Sequence, residues 1–382
     1  MIPIWRACFD EEEVAAVREV MLSGWVGAGT KAAAFEKRFA EYIGTSFAVS
    51  VNSCSSALLL ALKVLGVEGR EVITTSMTFV ATNHAILQNG ATPVFCDIDP
   101  DTLNLDPDCV ARRISDRTAA IMVVHHSGHP CDMDPILEIA ASRDIPIVED
   151  AAHACGARYR GRMVGGLGTI GCFSFQAQKN LTTCDGGMLT TSDAQLAERL
   201  KRLSWMGIPQ GTWDRFTAGP QQKRWLYEVT EVGHKFYMND LNAAIGLVQL
   251  ARLESANAQR REIVLQYNKA FSDLAWLQTP WIAPYARSAF HAYVPRVADR
   301  DNLVAHLHGR DVDSSVHYYP NHLYPIHEPY RCALPVTESV WRELVTLPLY
   351  PSMTDGDVAQ VIDAVRSFQP GCRDSDTDPA LK

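Results

Sequence analysis

From about Phe47 to Val148 the chain repeats one pattern: a short apolar run, a turn, then a stretch with helical spacing. The apolar runs are Ala48 to Asn52, Glu71 to Thr75, Pro93 to Ile98, Ala119 to Val124 and Pro146 to Val148. The helical stretches between them are Ser55 to Leu65, Val80 to Leu87, Asp108 to Ile114 and Pro135 to Ser142. Strand and helix in alternation predict parallel strands joined by right-handed crossovers, with helices on both faces of the sheet. The fold class is therefore α/β. Ligands of such sheets gather beyond the carboxyl ends of the strands, and the chemistry is to be sought there.

After Asp150 the rhythm breaks. Gly171 to Phe175 and Gly187 to Thr191 read as strands with only a loop between them, the place where an active-site loop would be inserted. A helix is expected from Asp193 to about Leu203, a flexible surface loop from Gln210 to Trp225, and one long amphipathic helix or a pair from Asn239 to about Phe271. His291 to Val297, Val316 to Tyr319 and a helix from Asp355 to Ser367 suit a compact α+β unit. The polar tail after Pro370 is expected to be disordered.

Composition excludes several classes. At 382 residues, 47% hydrophobic and 21% charged, the chain is an ordinary globular protein with room for two or three domains. Its formal charge of -9 comes without any lysine/arginine block, so a nucleic-acid partner is not expected. No apolar run reaches about 18 residues, so no membrane span is expected. The start of the chain carries no basic region followed by an apolar stretch, and the ten cysteines form no Cys-x-x-Cys pair. A reducing cytoplasm and no structural zinc follow as expectations.

The richest segments are Pro146 to His153, Cys172 to Thr183, and Asp185-Gly186-Gly187. In the first, an apolar strand delivers Asp150 at its carboxyl end; in the second, another strand ends shortly before Lys179. A carboxylate and an amine presented from two strand ends of one sheet can grip opposite sides of a flat cofactor. Pyridoxal 5'-phosphate (PLP) needs that pair, a lysine to hold it as a Schiff base and an acid to keep its pyridine nitrogen protonated.

These segments, with Thr78-Phe79, Asp97-Ile98-Asp99, the Gly24-Trp25-Val26-Gly27 region, Gly128-His129-Pro130, Asp132-Met133-Asp134, Gly233 to Met238 and His317-Tyr318, resemble the DegT/DnrJ/EryC1/StrS family of PLP-dependent sugar aminotransferases. The similarity spans nearly the whole chain. It implies fold type I, with a large PLP-binding domain of mixed, mainly parallel sheet over residues 1–250 and a small C-terminal α+β domain over 251–370. Residues 371–382 form the tail. It also implies a homodimer with shared active sites.

The resemblance implies Lys179 as the Schiff-base lysine and Asp150 as the partner of the pyridine nitrogen; Asp150 also suits a helix cap. Ser55 and Ser56 open a helix after a strand, a setting for phosphate or for plain N-capping, and Ser174 matches a phosphate ligand or a hydroxyl satisfied by backbone. Here Ser53-Cys54-Ser55-Ser56 stands where the family usually has Ser-Gly-Thr. Phe79 matches an aromatic stacked on the pyridine ring, or is an ordinary core phenylalanine. His153 falls where many relatives place a glutamine on the cofactor's phenolic oxygen, and Gln176 where many have histidine. Lys235 matches a position that reaches the neighbouring subunit's cofactor, and otherwise reads as an exposed lysine. His125, His126 and His129, or His317 with His322, are not expected to bind metal. Tyr318 and His322 face either the substrate pocket or a packed core.

The implied reaction is a two-stage amino transfer from L-glutamate or L-glutamine to a nucleotide-linked keto-deoxysugar, at a 3-keto or 4-keto position. A keto-cyclitol acceptor is the alternative, and a PLP-binding regulator without turnover is the reading from another class. Lys179 itself speaks against a dehydratase of the same fold, since relatives of that kind carry histidine there.

Overall fold

The structure, a computed structural model, describes residues 1–217 and 225–371. All of the expected tail but Gly371, and residues 218–224 of the expected 210–225 loop, lie outside the described residues, and Thr212–Thr217 of that loop is a short helix. Two helices that the alternation did not announce come first, α1 (Glu11–Ser23) and α2 (Thr30–Ile43). A capping box starts α1, with the Asp10 side chain accepting from an amide of the first turn while Glu13 reaches back to the Asp10 amide at 2.9 Å. No side chain of its own caps α2. Its first amides, Gly29 and Ala32, donate instead to Asp240 at 2.8 and 2.9 Å.

The alternating region follows the sequence closely. It runs β1 (Phe47–Val51), α3 (Cys54–Leu65), β2 (Glu71–Thr75), α4 (Val80–Gln88), β3 (Thr92–Cys96), α5 (Pro107–Arg113), β4 (Thr118–Val124), α6 (Met133–Ala141) and β5 (Ile147–Asp150). A small hairpin, β6 (Arg158–Tyr159) and β7 (Arg162–Met163), precedes β8 (Ile170–Ser174) and β9 (Gly187–Thr191). After them come α7 (Ala194–Ser204), α8 (Thr212–Thr217) and one continuous helix, α9 (Asp240–Phe271).

Seven strands form one sheet in the order β1-β9-β8-β5-β4-β2-β3. Only β9 runs antiparallel to its neighbours. Parallel partners need a crossover, whereas a loop without a helix, as between β8 and β9, brings the chain back in the opposite sense. The sheet is the mixed, mainly parallel one expected. Every residue of β4 is buried, because helices cover both faces: Ile121 and Val123 pack with Phe35, Phe39 and Phe173 on one side, Ala120 and Met122 with Leu58 and Leu62 on the other. Alternate residues of a strand point to opposite faces, which separates the two sets.

A third cluster gathers C-terminal residues, Tyr267, Phe271, Tyr293, Leu347, Val361 and Val365 among them, together with Ile2 from the start of the chain. It includes β10 (Leu277–Gln278), β12 (Arg296–Val297), α10 (Arg300–His308) and α12 (Asp355–Arg366), while β11 (Ala286–Arg287) pairs with β6 and α11 (Pro335–Val340) lies between. Helix α9 serves two clusters, with Leu253 in the first and Ile263 and Val264 in the third. The strands expected at 291–297 and 316–319 are not continuous. Only Arg296–Val297 is a strand, and Tyr293 and Ser315 make isolated bridges to Leu347 and Thr346. Pro295, which lacks an N–H, interrupts a longer ladder in the first of them. Among the described residues, no helix is long and apolar enough to cross a membrane.

Candidate active site

Strand β5 ends on Asp150, level in register with Val124 of β4 and Cys172 of β8. The carboxylate is buried. It accepts from the Thr82 hydroxyl at 2.7 Å and from the Ala152 amide at 3.1 Å. Burial pushes its pKa up, against those two hydrogen bonds and the nearby charge of Lys179. The helix-cap alternative falls, because turns and then β6 follow Asp150 and no helix does; the bond from the Ala152 amide closes a turn, and the other oxygen is held by Thr82 of α4.

Beyond β8, the loop carrying Lys179 is tied at its base and along its length. Phe175 donates to the Gly186 carbonyl at 2.9 Å and receives the Thr183 amide at 2.9 Å, and Asn180 donates to Asn257 and to the Ala289 carbonyl, both at 2.8 Å. Next to it β9 passes under the start of α3 so closely that a Cβ on Gly187 would lie 2.5 Å from the carbonyl carbon of Ser53. Glycine alone fits there. Burial of the Lys179 amine lowers its pKa to about 8, with Cys54 and Asp150 pulling the other way.

Lys179 and Asp150 line one cavity of about 400 Å³, and Ser55, Phe79, His153 and Ser174 line it with them. Phe79 is 58% exposed, which removes the core-phenylalanine reading. The helix of Ser55 begins one residue earlier than expected, with Ser53 as its cap and Ser53, Cys54 and Ser55 on the cavity wall. Ser56 is absent from that wall: its hydroxyl donates to Asn52 at 2.7 Å and meets Ser53 at 3.0 Å, so local capping uses it. Lys235 also lies outside the cavity, exposed, with its backbone bridged to Trp205. Tyr318 faces the cavity, but His322 does not; it is buried between Ser76, at 2.6 Å, and Glu338, at 3.2 Å.

The cavity also holds residues not foreseen from the sequence: Trp5, Thr82, Gln178, His291 and His317. Thr82 had a signal, lying in the first turn of α4 four residues on from Thr78, whose hydroxyl it meets at 2.8 Å. Gln178 adjoins Lys179 in the same loop, while Trp5, His291 and His317 arrive from remote segments.

The three histidines after β4 are occupied by the chain itself. The Cys131 amide donates to His125 Nδ1 at 3.0 Å, so that nitrogen is bare and Nε2 donates to Glu149 at 3.1 Å. His126 bonds the His317 carbonyl at 3.1 Å, and His129 receives the Ala283 amide at 3.1 Å. Among the described residues, no group of three or more His, Cys, Asp or Glu side chains is arranged to hold a metal ion.

The donor set suits PLP: an amine with a lowered pKa, a buried carboxyl held by two donors, and hydroxyls beside the start of a 12-residue helix, where free N–H groups favour phosphate. The sequence profile of the DegT/DnrJ/EryC1/StrS aminotransferase family matches residues 7–366. The chain belongs to that family. DegT/DnrJ/EryC1/StrS aminotransferases use PLP, and the fold seen here is their fold type I. The spore coat polysaccharide biosynthesis protein SpsC of Bacillus subtilis is 42% identical over 373 residues, 94% of this chain and 95% of that one. The sugar aminotransferase CalS13 of Micromonospora echinospora superposes with a TM-score of 0.89 at 32% identity, covering 97% of this chain and 100% of its own. Spr1654 of Streptococcus pneumoniae, solved in PLP and PMP forms, gives TM-scores of 0.88 and 0.89 at 30% identity, over 95% and 96% of this chain and 97% and 98% of its own.

Proposed function

We propose that this PLP-dependent aminotransferase moves an amino group from L-glutamate or L-glutamine to a nucleotide-linked keto-deoxysugar, at the 3-keto or 4-keto carbon, in two successive half-reactions. The observation that carries the reading is the Lys179 amine, lowered to about 8 in the same cavity as the buried Asp150 carboxyl. The names of CalS13, a sugar aminotransferase, and SpsC, a polysaccharide biosynthesis protein, support the sugar acceptor.

When bound, PLP supplies an electron sink for the negative charge left on the carbon that loses its proton. Lys179 takes that proton and returns it, which needs an amine neutral near working pH. Asp150, pinned by Thr82 and Ala152, holds a proton at the ring nitrogen. Ser55, Ser174 and the first amides of α3 hold the phosphate, Phe79 covers a ring face, and His153 contacts the ring oxygen. Lys235, outside its own cavity, reaches the neighbouring subunit's cofactor in a homodimer whose sites are shared. Residues 1–250 form the PLP-binding domain and 251–370 the small domain. The enzyme works in the cytoplasm, whose reducing conditions suit the nine free cysteines among the described residues.

The direct test charges the protein with glutamate to its amino form, then offers nucleotide keto-sugars and keto-cyclitols separately. Return of the aldehyde absorption only with a nucleotide keto-sugar is expected; return only with a keto-cyclitol overturns the acceptor. A second expectation follows from the amine at about 8. Protonated amine cannot attack, so the rate at which cofactor-stripped protein captures PLP should rise about tenfold per pH unit up to that pH and level off above it. A rate that is flat from pH 6 to 9 would contradict the assignment of Lys179.

A further inference from the structure

One wall of the cavity is a continuous stack of four rings from four separate parts of the chain. Trp5 lies over His291 at 5.4 Å and 10°, His291 over His153 at 4.3 Å and 25°, and His153 over Tyr318 at 5.9 Å and 18°. The Trp5 indole N–H also donates to the His291 carbonyl at 3.2 Å. Neighbouring bonds secure the far end: His126 Nε2 meets the His317 carbonyl at 3.1 Å, and His317 Nδ1 meets the Thr346 hydroxyl at 2.8 Å.

Within the stack, the Tyr318 hydroxyl and His153 Nε2 are 3.0 Å apart. The other ring nitrogen of His153, Nδ1, is buried and has no hydrogen-bond partner among the described residues. A buried nitrogen of this kind is costly unless something bonds it. Both members of the pair are neutral at working pH. Burial, then the nearby charge of Lys179, drives His153 far below its usual value, while burial and the Asp150 charge push Tyr318 up.

A neutral imidazole carries a single ring proton, and its position decides which nitrogen donates. A phenol O–H is a much stronger donor than a neutral imidazole N–H, and a bare imidazole nitrogen is a much better acceptor than a phenol oxygen. The favoured arrangement therefore has Tyr318 donating to Nε2, which leaves the ring proton on Nδ1. We infer that Tyr318 is a positioning residue that fixes His153 as its Nδ1–H tautomer, so that a buried N–H is ready to donate to an oxygen of the bound cofactor. Trp5 and His291 hold the imidazole plane. The inference rests on the reading above that His153 contacts PLP. Without the phenol hydroxyl, Nε2 is free to take the proton and Nδ1 would present a lone pair to the same oxygen.

The test is nitrogen NMR of the full chain labelled with ¹⁵N-histidine, with His153→Gln used to identify the ring signals. In cofactor-stripped wild type, His153 should show a protonated Nδ1 and a bare Nε2. In Tyr318→Phe, which keeps the ring in the stack, the proton should move largely to Nε2, and affinity for PLP, measured by absorption titration, should weaken about tenfold. A wild-type proton on Nε2, or the same tautomer in wild type and Tyr318→Phe, overturns the role of Tyr318. The inferred tautomers with unchanged PLP affinity overturn the donor contact. Because the tautomer is read without cofactor, its failure is separate from a failure of the cofactor reading, which absence of PLP binding by wild type would reveal. The wild-type spectrum decides the tautomer even where the variant fails to fold.

Discussion

Lys179→Ala should yield a folded chain that retains no PLP after borohydride treatment and dialysis, with turnover reduced about 10²- to 10⁴-fold. Its amine is the one that shares the cavity with Asp150, and the ties on either side of it, through Phe175 and Asn180, do not involve the lysine side chain. Loss of trapping without loss of fold is therefore expected. Asp150→Asn provides the contrast. It should keep the trapped cofactor and lose about 10²- to 10³-fold in turnover, because the charge facing the ring is lost while the Thr82 hydroxyl can turn to accept from the new amide. Cofactor still fixed to Lys179→Ala would move the assignment to whichever lysine a peptide digest then identified.

Glu149→Ala should destabilise the protein by about 3–5 kcal/mol, the range for breaking a buried charged network. The Glu149 carboxylate sits one residue before Asp150 on the opposite face of β5, fully buried. It accepts from the Gly165, Leu167 and Gly168 amides at 2.8, 2.8 and 2.6 Å, besides His125. Removing it strands four donors at once. Burial works to raise its pKa, but the His125 hydrogen bond and the Gly168 and Gly165 amides outweigh it and hold the carboxyl below its usual value. With the folded value below the unfolded one, the stability it contributes is full above the ordinary carboxylate range and is lost as pH falls through the folded value. Thermal midpoints between pH 3 and 7 should thus converge at the acid end for wild type and Glu149→Ala and diverge toward neutrality. A midpoint unchanged at pH 7 would show that the strand end stands without this carboxylate.

Asp150 at the end of β5, His153 in the following turn and Lys179 in the loop after β8 illustrate how much of the site could be read early. Asp150 was legible because an apolar run terminating in an acid places that acid at a strand end whatever surrounds it. Lys179 was legible for a similar reason, since the β8 strand stops shortly before it and no helix intervenes before β9. His153 was legible as a site residue, yet its partners were not: Tyr318 comes 165 residues later. Ser56 was misplaced because capping and cavity lining differ by the angle between successive side chains at a helix start, and Ser53 rather than Ser55 proved to be the cap. Helices α1 and α2 escaped notice because they precede the first strand and α2 takes its cap from Asp240, 208 residues beyond Ala32.

By itself the sequence determined the α/β sheet, the strand ends that carry the amine and the acid, and the loop between β8 and β9, because apolar periodicity and turn residues act between near neighbours. Only the tertiary structure decided the cavity's far wall, where Trp5 meets His291 across 286 positions, and the proton arrangement that wall implies. Contacts of that range form when packing of whole layers closes the chain on itself, and no local pattern of residues encodes which distant ring will arrive.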